Sequence, residues 1–229
     1  MENQEILKKR AAEKAVEFVK SEMVIGFGTG STFKYVLKIL ADKLETKEIQ
    51  NIIGIPTSEK TLALAEKLTI PCGILSEYPV LDLTIDGADE VDNKLNLIKG
   101  GGGALLREKI IAQVSKKYII IVDDSKLSEN LGEKWPVPIE VVKMALEVET
   151  NYLQSLGAKV TLRINNFGET FITDEGNYIL DANFGVIKNA KILGKKLDKR
   201  AGIAQHGLFI GMVDQVIIAS DKGVRSIEK

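Results

Sequence analysis

Residues Leu81–Ile110 read LDLTIDGADEVDNKLNLIKGGGGALLREKI. The stretch opens within an apolar, strand-like run, Val80–Ile85, that ends in Asp86-Gly87-Ala88-Asp89. Lys99 and four consecutive glycines follow, and then a helical pattern from Ala104 to about Ser115 that carries Glu108. A strand, a polar turn and a helix in succession form the repeating unit of a parallel α/β sheet. The glycines need a separate reason. Each costs about 0.5–1 kcal/mol relative to alanine in regular structure. A flexible linker would carry serine and other polar residues, whereas this run is wedged between apolar Leu95–Ile98 and Ala104–Leu106. Gly100, Gly101, Gly102 and Gly103 therefore read as a nest of backbone N–H groups around a developing negative charge, with Lys99 adding a full positive one.

Outward from this stretch the same alternation continues. A helix is expected over residues 2–20, with Leu7, Ala11, Ala15, Phe18 and Val19 at helical spacing, and a strand begins at Met23-Val24-Ile25. A helix with Phe33, Val36, Leu37, Leu40 and Leu44 on one side follows, then a strand at Ile52–Ile55 and a helix through Leu62, Ala65 and Leu68. Further strands are expected at Cys72–Leu75, Val80–Ile85 and Tyr118–Val122. Strands apolar throughout, alternating with amphipathic helices, predict an α/β fold with a Rossmann-like, mainly parallel sheet covered on both faces. Ligands of such sheets sit outside the carboxyl ends of the strands. Three polar clusters fall there: Gly28–Thr32, Asp86–Asp89 and Asp123-Asp124-Ser125-Lys126.

The texture changes near Trp135-Pro136-Val137-Pro138. Expected strands at Ile139–Val142, Lys159–Ile164, Tyr178–Asp181 and Gly207–Ile210, with helices at Ala145–Leu156 and Ile187–Leu197, give the order β-α-β-β-α-β. That order predicts an inserted, smaller ferredoxin-like α+β domain over 132–211, the first domain comprising 1–131 plus 212–229. The strand Val213–Ala219 is expected to return to the main sheet.

Acids and bases nearly balance, for a net charge of -1 over 229 residues, and they are interspersed. Without a basic stripe, nucleic acid is not expected as a partner. No apolar run approaches the ~18 residues that span a bilayer, so no membrane is expected either. The charged N-terminal stretch does not resemble a secretory signal. The single cysteine, Cys72, has no partner for an internal disulfide and reads as a small packed hydrophobe. A soluble cytoplasmic protein is the expectation.

Several motifs admit two readings. Gly28-Thr29-Gly30-Ser31-Thr32 suits an anion at a helix N-terminus, and equally a tight turn capped by Ser31 or Thr32. It is neither a Walker loop nor a dinucleotide fingerprint. Asp86 and Asp89 can hold sugar hydroxyls or a metal, or bond their own turn, as Asp92 and Asn93 are expected to do. The spacing of Asp86, Asp89, Glu90 and Asp92 does not match a calcium loop, and Lys99 would compete with a cation, so no metal is assigned. On a helical wheel, Leu106, Ile110 and Val114 form the stripe suited to packing on the sheet. Glu108 shares another face with Ala104, Leu105, Ile111, Ala112 and Ser115. A glutamate early in a helix ordinarily faces solvent, but its place after the glycine nest points to a ligand. The one histidine, His206, lies away from the clusters, so His-based mechanisms find little support and the residue reads as structural or interfacial.

The segments GTGST (Gly28–Thr32), TSEKT (Thr57–Thr61), DGADEVD (Asp86–Asp92), KGGGGALLREKI (Lys99–Ile110) and VDDSK (Val122–Lys126) occur in the order and context of type A ribose-5-phosphate isomerase, which the chain resembles over nearly its whole length. The resemblance implies an aldose–ketose isomerase of the non-oxidative pentose phosphate pathway, working through an enediolate. It also implies an assembly of two or four subunits and no required cofactor. Carried over onto matching residues, Glu108 would be the base that moves a proton between C2 and C1. Asp86 and Asp89, with Gly87 and Ala88 between them, would bind sugar hydroxyls, one carboxylate assisting ring opening or proton shuttling. Lys99 and the amides of Gly100, Gly101 and Gly102 would stabilise the enediolate. Thr29, Gly30, Ser31, Thr32 and Lys126 would take the phosphate end, with a further contact from Lys8. The alternative is a sugar-phosphate sensor domain on the same scaffold, which would need neither a positioned base nor an enediolate clamp. A sugar-phosphate deaminase or lactonase, or a metal-dependent hydrolase, fits less well.

Overall fold

The computed structural model describes residues 4–229. In chain order its elements are α1 (Gln4–Val16), β1 (Val24–Phe27), α2 (Phe33–Glu45), β2 (Ile53–Pro56), α3 (Glu59–Lys67), β3 (Leu83–Gly87), β4 (Glu90–Val91), β5 (Leu97–Ile98), α4 (Leu105–Gln113) and β6 (Tyr118–Asp123). They continue with β7 (Val137–Val141), α5 (Leu146–Ser155), β8 (Lys159–Leu162), β9 (Tyr178–Asn183), α6 (Ala190–Leu197), β10 (Ile203–His206), β11 (Leu208–Phe209), β12 (Gln215–Ser220) and β13 (Gly223–Glu228). Of the helix expected over residues 2–20, positions 2 and 3 lie outside the described residues.

The chain divides into two compact units. The first holds the residues up to Ala88, Arg107–Lys126 and Met212–Lys229; the second holds Asp89–Leu106 and Leu127–Gly211. The boundary differs from the expected one chiefly at Asp89–Leu106. That segment joins the second unit because β5 pairs with β4 and β11, and because Glu90 anchors the turn at 132–135.

In the first unit, β13-β12-β6-β3-β1-β2 form one sheet, parallel throughout except for β13 at its edge. Every residue of β6 is buried, as a strand covered on both faces requires. Phe27, Ile85, Ile119, Ile121 and Ile217 form a core with α1 and α2 residues such as Ala11, Ala15, Val36 and Leu40. The chain goes from β1 outward to β2, then returns to place β3 on the other side of β1. Strand order therefore reverses between β1 and β3, where parallel α/β sheets bind ligands. The adjacent carboxyl ends of β1, β3 and β6 carry the three polar clusters of the sequence.

In the second unit, β7, α5, β8, β9, α6 and β10 build a four-stranded antiparallel sheet in the order β10-β7-β9-β8, the ferredoxin-like arrangement. Its core centres on Val137, Ile139, Val141, Leu153, Leu180, Ala182 and Leu197.

Two expected strands need correction, and three strands went unexpected. The fourth ferredoxin-like strand is Ile203–His206, not Gly207–Ile210. The chain breaks at Gly207, which donates to Pro138 O and accepts from Lys99 N–H, and Leu208–Phe209 pairs with β5 instead. Ile203–His206 lacks an apolar run, so only its pairing with β7 makes it a strand. Cys72–Leu75 forms one isolated bridge, between Cys72 and Gly54, and then turns. The edge strand β13 went unexpected because its residues are largely exposed and mixed in character, and β4 and β5 are two residues each.

Candidate active site

In the first unit the site is built on Asp86, fully buried at the end of β3. Its Oδ1 accepts the N–H groups of Gly87 at 2.7 Å and Thr29 at 3.1 Å, and its Oδ2 lies 3.4 Å from the Tyr118 hydroxyl. The carboxylate thus ties the carboxyl ends of β1 and β3 to Tyr118 at the start of β6. Thr29 Oγ1 turns into a hydroxyl cluster with Thr57 at 2.8 Å, Ser58 at 2.8 Å and Thr61 at 3.2 Å. Thr57 and Thr61 donate in turn to Phe27 O and Gly28 O, and Ser58 caps α3 by accepting Thr61 N–H at 3.1 Å. This explains the TSEKT segment, whose hydroxyls brace the GTGST turn. Gly30, with φ of +121°, and Ser31 are left exposed ahead of α2. Thr32 makes no side-chain capping bond there, so the capping reading of its hydroxyl fails.

Glu108 is 4% exposed in α4. The wheel expectation is reversed: Ile110 is exposed and Leu106 and Val114 only half-buried, while Leu105, Ile111 and Ala112 are buried with Glu108. The carboxylate lies on the face the helix buries. Burial, the charges of Asp86 and Glu108, and the bond to Asp86 hold the Tyr118 phenol well above its ordinary pKa. Tyr118 is accordingly a protonated donor beside two carboxylates. Nothing in the sequence singles it out, because an aromatic residue at the start of a buried strand reads as core.

Lys126 is half-buried in a single 3-10 turn after β6. Asp123 shapes that turn by accepting from Ser125 N–H at 3.0 Å and from the Ser125 hydroxyl. Lys8 pairs with Glu5 at 2.6 Å, and Glu5 also accepts the Tyr35 hydroxyl of α2 at 2.6 Å. The bonds from Lys8 and Tyr35 hold the Glu5 carboxyl below its ordinary pKa.

The second unit holds Asp89, Lys99 and the glycines. Gly100 and Gly103 have φ of +100° and +83°, which side chains rarely adopt, and Gly103 N–H closes the turn onto Gly100 O at 2.9 Å. Gly101 N–H donates to Asp89 Oδ2 at 2.7 Å. Lys99 is 2% exposed; its N–H donates to Gly207 O, and its ammonium lies 5.6 Å from the centre of the Phe209 ring. Arg163 donates to the Gly100 and Gly101 carbonyls. No motif points to that residue, which lies some sixty positions away from its partners.

The remaining acids are taken up by backbone. Glu90, fully buried, accepts N–H groups from Gly132, Glu133, Lys134 and Trp135 at 2.9–3.3 Å. Asp92 accepts from Lys94 and Asn96, shaping its own turn. Among the described residues, no group of three or more His, Cys, Asp or Glu side chains is arranged to hold a metal ion. His206 is a buried structural residue: Leu208 N–H donates to Nδ1 at 3.2 Å, which leaves Nε2 to donate to Asp198 at 3.0 Å. Cys72 is half-buried, and burial pushes its thiol pKa up. No described helix is long and apolar enough to cross a membrane.

Comparison with known proteins bears on the chain as a whole. The family described as ribose 5-phosphate isomerase A (phosphoriboisomerase A) matches residues 53–223. A ribose-5-phosphate isomerase A from Desulfatibacillum aliphaticivorans is 51% identical, covering 100% of this chain and 99% of the relative. A probable ribose-5-phosphate isomerase 2 from Arabidopsis thaliana is 46% identical over 97% of this chain and 86% of its own. A solved D-ribose-5-phosphate isomerase in complex with phospho-erythronic acid superposes with a TM-score of 0.97 at 41% identity, covering 100% of both chains. The ribose 5-phosphate isomerase A of Methanocaldococcus jannaschii gives 0.94 at 38% identity, covering 99% of this chain and 100% of that one.

Proposed function

Since the chain belongs to the ribose 5-phosphate isomerase A family, we propose that Glu108 is the base of its aldose–ketose isomerisation and assign the other roles around it. The protein is an enzyme, a ribose-5-phosphate isomerase, rather than a non-catalytic sensor of sugar phosphates. In the open-chain aldose, Glu108 takes the proton on C2. The C2–H electron pair becomes the C1–C2 double bond, and the carbonyl pair moves to O1. Lys99 and the amides of Gly100 and Gly102 hold the resulting enediolate, while the expected contribution of the Gly101 amide is taken up by Asp89. A proton passes from O2 to O1, the C2 carbonyl forms, and Glu108 returns its proton to C1.

Asp86 and Asp89 grip the sugar hydroxyls, with Gly87 and Ala88 keeping the turn between them low. Thr29, Gly30, Ser31, Thr32, Lys126 and Lys8 take the phosphate. Thr29 would have to exchange a partner for the phosphate, its N–H being held by Asp86 and its hydroxyl by Thr57, Ser58 and Thr61. Lys8 would have to exchange Glu5 for the phosphate. We assign the chemistry to these side chains and amides without a metal or cofactor, and place the enzyme in the cytoplasm as a homodimer or homotetramer. Sedimentation of the full chain tests the assembly.

The observation that carries the reading is Glu108 buried on the inward face of α4, in the electrostatic neighbourhood of Asp86 and the protonated Tyr118. A solvent-facing helix glutamate needs none of that surrounding. Ribose 5-phosphate, supplied after exhaustive chelation, should yield a ketose signal. Glu108→Gln should still fold and bind phospho-erythronic acid while losing at least ~10²-fold in kcat. Near-normal turnover in that variant would remove Glu108 from the mechanism.

A further inference from the structure

Four glycines in a row have no side chains with which to set the planes of their own peptide groups, and their backbone is the most mobile there is. In the second unit one side chain does this from outside. Arg163, directly after β8, donates from Nη1 to Gly100 O at 2.7 Å and to Gly101 O at 3.2 Å. Its other edge is clamped by Asp181 of β9, with Nε donating to Oδ2 at 2.9 Å and Nη2 to Oδ1. The two side chains are only 13% and 22% exposed. Phe171 flanks the guanidinium, its ring centre 5.9 Å from Cζ. The same ring fills the space beside Gly103, where a Cβ would fall 2.4 Å from it.

A trans peptide places its C=O and N–H on opposite sides. With the Gly100 and Gly101 carbonyls turned to Arg163, the N–H groups of Gly101 and Gly102 are turned away from it, and the first of them meets Asp89 Oδ2 at 2.7 Å. A cation on a carbonyl oxygen also strengthens the N–H of the same peptide as a donor. We propose that Arg163, oriented by Asp181, is a positioning residue for the reaction: it fixes and polarises two peptide groups of the cradle, one whose Gly101 amide holds Asp89 and one whose Gly102 amide faces the developing oxyanion. This rests on the reading of Gly100–Gly102 as an oxyanion cradle. Lysine cannot replace the fork, because one ammonium cannot span both carbonyls and Asp181.

The test uses the full-length enzyme with ribose 5-phosphate, comparing Arg163→Ala, Arg163→Lys and Asp181→Asn with the parent. For each, kcat and KM are measured, together with the amide NMR signals of Gly101 and Gly102. Arg163→Ala should shift both signals and lower kcat by about 10–100-fold, the scale of a misplaced reacting group, while KM moves by less than about threefold. Added guanidinium ion should restore part of the kcat, and Arg163→Lys should recover little. Asp181→Asn keeps the guanidinium but loosens it, so it should show the same split with a smaller loss, and it answers the question if Arg163→Ala does not fold. Unmoved amide signals in the variants would overturn the proposal whatever the kcat. Shifted signals with parental kcat would instead show that the glycine amides do not act in the rate-limiting chemistry, which sinks the cradle reading and the proposal with it.

Discussion

A Cβ built on Gly28 falls 2.2 Å from Oδ1 and 2.6 Å from Cα of Asp86, so the residue before the Thr29 turn is glycine because a buried carboxylate occupies its side-chain space. Gly28→Ala must push Asp86 off its bonds to Thr29 and Gly87 or part β1 from β3. Overpacking of this kind costs about 1–3 kcal/mol, and a displacement of ~1 Å at a reacting group costs about 10²-fold. The expected outcome is a kcat near 1% of the parent's in the ribose 5-phosphate assay, with a Tm lowered by several degrees in a calorimetric scan. Parental kcat would mean that Asp86 does not need this position.

Tyr118→Phe keeps the ring in the core and removes one donor from Asp86. A single hydrogen bond of this kind contributes about 0.5–1.5 kcal/mol, so kcat/KM should fall by roughly threefold to tenfold, read from initial rates. The variant also has a pH signature. The folded phenol holds its proton more tightly than the unfolded one, chiefly through burial and then through Asp86 and Glu108. Its contribution to stability is therefore present below the ordinary phenol pKa of about 10 and lost as pH rises above it. Denaturant titrations at rising alkaline pH should show stability falling more steeply in the parent than in Tyr118→Phe.

Glu140 of β7 is 1% exposed and accepts bonds from Thr173 at 2.8 Å and Asn177 at 3.0 Å. Burial raises its pKa first; those two bonds offset this in part, and Glu175 and Asp174 add to the rise. A carboxyl whose folded pKa is raised binds its proton more tightly in the folded state. Stability then falls as pH climbs from the ordinary glutamate range through the folded value. Glu140→Gln keeps an oxygen for both donors and removes the buried charge. Its Tm should exceed the parent's at pH 7–8, by about 2–4 °C for each ~1 kcal/mol gained, and the gap should close toward pH 4. A gap that widens on acidification would refute the assignment.

The parallel sheet was legible because β1, β3, β6 and β12 are nearly all apolar, whereas its strand order was not, since it rests on pairings between segments distant in the chain. Asp86 and Glu108 were legible through their neighbours in sequence, the small turn residues and the glycine run. What lay beyond reach had distant partners: Arg163 on the glycine carbonyls, Glu90 on the turn at 132–135, Tyr118 on Asp86. The face of α4 was misread for a physical reason. Leu106, Ile110 and Val114 are more apolar than the stripe holding Glu108, so transfer energy favours burying the wrong side. β10 and β13 escaped because each owes its strand conformation to a neighbour rather than to its own residues.

In the first unit β12 lies between β6 and β13, and α1 packs against β6 and β12. The order of synthesis therefore runs against the order of assembly. Until the ribosome has released Gln215–Ser220, β6 exposes a full row of unpaired amides and carbonyls, and α1 lacks half of its seat. The antiparallel sheet of the second unit is complete by His206 and can close earlier. A nascent chain thus carries Asp86 and Glu108 for about half of its translation on an unfinished sheet, whose open edge is the natural target for a chaperone or for mispairing with a neighbouring chain.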